Sequence, residues 1–272
     1  MASSADRMAA GASFGALAKA DELKKRLWFT VGALIIYRLG TYLPLPGIDP
    51  NALSDIFSQQ SSGILGMFDM FSGGALGRMT IFALNIMPYI TASIIMQLMT
   101  AIVPSLESLK KDGEAGRKMI NQYTRYLTVL LASVQGYGMA VGLEAASGVV
   151  NDPGLFFRVT TVVTLVGGTL FLMWLGEQIT SRGVGNGISL IIFAGIVANL
   201  PTALAGTLEL GRTGALSSLL IILLLAMAVA VVAFIVFIER SVRKILVQYP
   251  KRQHGNKVFG GDQSFLPLKI NV

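Results

Sequence analysis

Six long apolar stretches, separated by loops whose Lys and Arg fall on alternate sides, constrain this chain more than any motif does. The five clearest cover residues 79–103, 126–143, 159–175, 188–208 and 215–238. Each is about long enough to cross a hydrocarbon core of ~30 Å at ~1.5 Å per helical residue. The first stretch, residues 28–44, is shorter and carries Arg38. A soluble helix would present a polar face on every turn, and these runs do not. The pattern predicts an all-α polytopic membrane protein.

Charge sets the orientation. All 22 Lys and Arg except Arg38, Arg78, Arg158 and Arg212 fall before the first stretch or after the second, fourth or sixth. The positive-inside rule then places both termini in the cytoplasm. The net charge of +7 follows from this topology and needs no nucleic-acid partner. Residues 1–27 read as a cytoplasmic tail without the pattern of a cleavable signal, and residues 1–20, rich in Ala, Ser and Gly, as loosely ordered. With no Cys in the sequence, disulfides, thiol catalysis and Cys-based metal sites are excluded.

The apolar stretches from residue 79 onward lack Asp, Glu, Lys or Arg near their middles. Ion-coupled transporters use such groups as relays or ligands, so the pattern disfavours that class. Arg38 is the exception, expected to snorkel or to pair with a neighbouring helix. The single His254 lies in the last loop, so no stretch holds a base for serine hydrolysis. Gly183, Gly185 and Gly187 follow no strand and read as a tight turn, not a phosphate loop.

Residues 63–78 (GILGMFDMFSGGALGR) read differently. They are apolar but too short to span, and Asp69 and several Gly interrupt them. A short re-entrant or interfacial helix hinged at Gly73 and Gly74 fits, as does a loop lying on the membrane surface. In the next stretch Ile86 and Ile90 are four residues apart, which predicts one helix face, and Pro88 between them predicts a bend. Ile188 and Ile192 repeat the spacing. Such pairs occur in most membrane helices, so spacing alone does not make a pore.

Longer runs carry a resemblance. SGGALGRMTIFALNIMPYITASIIMQL, KKDGEAGRKMINQYTRY, FLMWLGEQITSRGVGNGISLIIFAGIVANLP, VFIERSVRKILVQYPKRQ and LPLKIN occur in this order. Together they resemble the SecY family, the central subunits of bacterial protein-conducting channels. The resemblance implies a fold built from the first five-helix half of an inverted repeat, residues 28–208, with a plug at 64–73. A sixth helix at 215–238 and a basic cytoplasmic loop at 239–272 would follow.

The same resemblance assigns roles. Ile86, Ile90, Ile188 and Ile192 match this chain's share of the pore ring. Apolar side chains offer water and ions no hydrogen bonds, so a narrow ring dewets. Ile64, Leu65, Met67, Phe68, Met70 and Phe71 match the plug, with Gly73 and Gly74 as its hinge. Thr91 and Gln135 match polar positions of the lateral gate. Arg240, Arg243, Lys244, Lys251, Arg252 and Lys257 match the docking site for the SecA motor ATPase or the translating ribosome.

Further implied partners are SecE, SecG, signal peptides, secretory chains and membrane lipid. The implied location is the bacterial inner membrane, and no enzyme activity or cofactor is expected. Family members have ten spans, so this chain is expected to lack the seventh and eighth helices, the far face of the gate. On that ground it is expected to be part of a longer protein. Two competing readings remain at this point: one half of a secondary transporter, and a structural bundle that scaffolds partners.

Overall fold

The computed structural model describes residues 21–49, 52–53, 64–146, 148–248, 252–254, 257–259 and 263–269. Among them are α1 (Asp21–Gly40), α2 (Ile64–Ser72), α3 (Met87–Ile102), α4 (Pro104–Lys111), α5 (Glu114–Ala145), α6 (Leu155–Arg182), α7 (Gly187–Ala198), α8 (Leu200–Arg212) and α9 (Ser218–Arg240). Strands β1 (Val242–Gln248), β2 (Arg252–His254), β3 (Lys257–Phe259) and β4 (Gln263–Lys269) follow. The chain divides into two compact units, Met1–Pro201 and Thr202–Val272.

Small residues build the first unit. On α5, Thr124, Thr128, Ala132, Gly136 and Ala140 are buried at every fourth position. On α3, Pro88, Ala92, Met96 and Thr100 follow the same spacing. α6 answers with Thr161, Leu165, Gly168, Thr169 and Leu172. A shared helix face of small side chains lets backbones approach closely, which is how helices associate where lipid removes the hydrophobic drive. The threonines satisfy themselves: Thr128 Oγ1 donates to the Thr124 carbonyl at 2.7 Å and Thr169 Oγ1 to the Leu165 carbonyl at 3.0 Å. Two ion pairs tie the α5–α6 hairpin at separate levels, Arg125 with Glu177 at 2.7 Å and Arg158 with Glu144 at 2.6 Å.

The stretch 79–103 is not one helix. α3 begins only at Met87, with Pro88 in its first turn, where a missing N–H costs nothing. Pro88 therefore starts the helix and does not bend it. Upstream, Met79 (φ 42°) and Asn85 (φ 49°) adopt left-handed backbone that no α-helix continues. The backbone there is engaged elsewhere: Leu45 N–H donates to the Met79 carbonyl and Ile81 N–H to the Leu43 carbonyl, both at 3.0 Å. Ile86 accordingly sits at the N-cap, its carbonyl accepting from Ile90 N–H at 3.1 Å. The two isoleucines meet at a helix entrance, not along a helix body.

Other stretches are also interrupted. α1 ends at Gly40, and residues 41–42 turn. Val103 separates α3 from α4, which diverge by 98°. Asn199 separates α7 from α8. Among the described residues four helical segments are long and apolar enough to cross a membrane, or five if the bent pair forms one span. The Gly183–Gly187 series does form a tight turn, with Gly185 at φ 78°. Asn186 caps α7 there, its Oδ1 accepting from Ile188 N–H at 3.1 Å and Ser189 N–H at 3.3 Å.

In the second unit α9 has a mean hydropathy of 3.4 and no buried residue. The segment read as a basic loop contains two antiparallel ribbons. β1 pairs with β4 from Val242↔Lys269 to Gln248↔Gln263, and β2 with β3 from Arg252↔Phe259 to His254↔Lys257.

Candidate pore lining and plug seat

α2 closes with a Schellman arrangement. Gly73 N–H donates to the Met70 carbonyl at 3.2 Å and Gly74 N–H to the Asp69 carbonyl at 3.0 Å. Gly73 (φ 68°) and Gly74 (φ 82°) supply the left-handed backbone this requires. Asp69 Oδ1 also accepts from Gly77 N–H at 2.6 Å, and Ser72 Oγ from Leu76 N–H at 3.1 Å. The polar residues that break the apolar pattern of residues 63–78 thus fold its exit turn.

The next four carbonyls each meet a side-chain donor. Phe71 O accepts from Asn85 Nδ2 at 2.9 Å, and Ser72 O from Tyr37 Oη at 3.5 Å. Gly73 O accepts from Arg38 Nη1 at 2.8 Å and from Arg78 Nη2 at 3.2 Å. Gly74 O accepts from Arg78 Nε at 3.0 Å. Carbonyls at a helix C-terminus lack intrahelical partners and carry partial negative charge, which two guanidinium groups complement. Tyr42 lies against both arginines, its ring centroid 5.2 Å from Arg38 Cζ and 4.2 Å from Arg78 Cζ. Of the two expectations for Arg38, snorkelling or pairing with a neighbouring helix, the second is closer: it donates to the Gly73 carbonyl just after α2.

The end of α2 rests on bare backbone of α7. A Cβ added to Gly195 would lie 2.9 Å from the Phe71 carbonyl and 3.0 Å from Tyr37 Oη. Around it, Ala33, Tyr37, Ala75, Phe82, Ile86, Leu172, Leu175, Ile179 and Ile191 form one buried cluster spanning α1, α6 and α7. Tyr37, Phe82 and Phe171 stack in series, with centroids 6.3 and 5.8 Å apart.

A cavity of about 260 Å³ lies beside this cluster, lined by Phe71, Asn85, Ile86, Met87, Ile90 and Ile192. Three of the four isoleucines expected in a ring thus gather at one apolar space, facing a residue of α2. Ile188 does not line it. It packs beside Gly176 of α6, where a Cβ would come within 3.0 Å of its Cγ1.

The other expected site residues are scattered. Met70 and Phe71 are exposed on α2, and the side chains of Ile64, Leu65, Met67 and Phe68 lie outside those described. Thr91 Oγ1 donates into its own helix, to the Met87 carbonyl at 3.0 Å, and Gln135 stands exposed on α5. Arg240 ends α9, Arg243 and Lys244 lie on β1, Arg252 on β2 and Lys257 on β3. Lys251 lies outside the described residues.

Tyr37, Arg78, Asn85 and Gly195 were not singled out by the sequence. One signal was available for Asn85: Asn tolerates left-handed backbone, and it directly precedes a helix start marked by Pro88.

The SecY family model matches residues 80–272. The protein translocase subunit SecY of Rickettsia bellii is 58% identical over 256 residues, covering 93% of this chain and 59% of that protein. This chain therefore spans about three-fifths of the length of the curated relatives it matches. A solved protein-conducting channel has a TM-score of 0.57 at 18% identity, over 91% of this chain and 53% of the other. A channel of the canine endoplasmic reticulum, solved in a complex with the ribosome, has a TM-score of 0.59 at 18% identity, over 82% and 49%. Sequence identity of that extent, carried on a helical membrane bundle of the same fold, makes this chain a member of the SecY family.

Proposed function

We propose that this chain lines one side of a protein-conducting channel that passes unfolded secretory proteins across, and membrane helices into, the bacterial inner membrane. The observation that carries the reading is the apolar cavity where Ile86, Ile90 and Ile192 face Phe71 of α2. Branched apolar side chains around a narrow space resist wetting, and a passing chain can push them aside. Ile188, one turn before Ile192 on α7, is assigned to the ring by the family resemblance. α2 acts as the plug, with Gly73 and Gly74 as its hinge.

The remaining roles rest on the family resemblance and on charge. Thr91 and Gln135, both exposed, belong to the lateral gate, where weak polar contacts suit a seam that opens to lipid. Arg240, Arg243, Lys244, Lys251, Arg252 and Lys257 form a basic docking surface for SecA or a translating ribosome. SecE and SecG complete the assembly. The channel is passive and not an enzyme, and its N-terminus is cytoplasmic.

A photo-crosslinker tests the assignment when placed in the full-length protein at Ile86, Ile192 or the exposed α9 residue Val232. An arrested secretory chain should label the first two positions and spare Val232. Equal labelling at all three would overturn the pore assignment.

A further inference from the structure

We propose that Gly195 and Arg38 are positioning residues that seat the plug and couple its release to widening of the pore ring. The inference rests on reading α2 as the plug. Both residues lie outside plug and ring, and both touch the last carbonyls of α2.

The donors that hold α2 come from elsewhere in the chain. At membrane depth an unpaired carbonyl is costly, so the C-terminus of α2 is stable only where Arg38, Tyr37, Asn85 and Arg78 meet it. Arg38 makes the short bond of this set from α1, 2.8 Å to Gly73 O, at the hinge itself. Charged donors give the stronger hydrogen bonds. Asn85 holds a left-handed φ of 49°, which Asn tolerates, and its Oδ1 is buried without a hydrogen-bond partner among the described residues.

Gly195 supplies the coupling. It follows Ile192 by three residues on α7, so both project from neighbouring points of one helix face. Phe71 bridges them: its carbonyl lies against Gly195 and its side chain shares the cavity with Ile192. Outward movement of α7, which widens the ring at Ile192, also withdraws the floor beneath Phe71 and the Gly73 backbone. Any side chain at Gly195 does the same without a substrate, because its Cβ would fall 2.9 Å from the Phe71 carbonyl.

The test uses the intact channel with its partner subunits in a planar bilayer, reading ion leak without substrate. Deletion of residues 64–72 tests the plug itself. Gly195→Ala and Arg38→Gln test the seat, and Gly138→Ala, with no atom near its Cβ position, is the control. Loss of one charged hydrogen bond predicts a rise in leak of roughly tenfold or more for Arg38→Gln. Gly195→Ala should leak as well, and Gly138→Ala should not.

A thiol crosslinker joining Phe71→Cys to Ile192→Cys should reseal the Gly195→Ala channel, while the same reagent on the channel without the two Cys substitutions should change nothing; these 272 residues contain no native Cys. A folding defect would not be resealed, so a persistent leak overturns the seat. A leaking deletion with both seat variants tight also overturns it while leaving the plug intact. A tight deletion overturns the plug reading itself. If Gly195→Ala fails to assemble, Arg38→Gln decides alone.

Discussion

The α5–α6 hairpin and the segment from α2 to Ile86 lie in the same unit and solve one problem in opposite ways. Both must satisfy backbone polar groups in apolar surroundings. The hairpin does so locally, with unbroken helices, threonines bonded to their own turns and a stripe of small residues. The segment does so at a distance, with Tyr37, Arg38 and Asn85 reaching to carbonyls of α2. Regular helix gives strength without specificity of partner. The second solution gives a structure whose stability depends on donors elsewhere in the chain, which suits the plug role proposed for α2.

Breaking the backbone contact where the hairpin meets the segment has the largest expected effect. A Cβ at Gly168 would collide with the Ile81 carbonyl, which has no room to give. Gly168→Leu should cost about 3 kcal/mol or more, read as lost thermal stability of the purified channel. Gly138→Leu, at an open position, should be close to neutral. Similar losses at both sites would refute the packing account.

Asn85 sharpens the other side of the comparison. Asn85→Ala removes the 2.9 Å bond to Phe71 O and leaves Ala in left-handed backbone. The two effects sum to roughly 2–3 kcal/mol. Asn85→Gly loses the same bond but tolerates the φ, so denaturant titration should find it the milder change. The reverse order would show that the backbone conformation is not what Asn85 is needed for.

The two ion pairs of the hairpin should differ. Glu144 is 10% exposed and accepts from both Arg158 and Gly154 N–H, whereas Arg125 and Glu177 are 49% and 35% exposed. Glu177→Gln should cost under ~1 kcal/mol. Glu144→Gln should cost more, because two donors, Arg158 and the Gly154 N–H, lose one charged partner. Equal thermal shifts would remove the distinction. Thr91→Val is the mildest case, within about 0.5 kcal/mol on stability because its hydroxyl serves only its own helix. A gate role predicts altered export of weak signal sequences in the same variant.

Legibility in the sequence followed the same division. α5, α6 and α9 could be read directly, because a hydropathy run long enough to span leaves few alternatives. Residues 79–86 are as apolar as the helix they precede, yet residues 43–45 claim their backbone from across the fold. No local pattern carries that pairing. Pro88 fits a kink and a first turn equally, and only the backbone of Asn85 separates them. The final segment was read through its charges, although the β-branched Val242, Ile245 and Val247 of VRKILVQ also suit a strand. At the site, the four-residue spacing of Ile86 and Ile90 survived a change of local structure. The partners of Arg38 did not show, because Gly73 lies 35 residues away.

One consequence concerns how the chain itself enters the bilayer. α3 has 16 helical residues, about 24 Å at ~1.5 Å per residue, short of a ~30 Å core. The eight residues before it add no helix, making local turns and two backbone bonds with residues 43 and 45. Such a segment is not stable in lipid by itself. Its insertion must therefore be cooperative, waiting until α1 and the following hairpin surround it. Its place in the bilayer is thus a property of the assembled bundle and not of its own sequence.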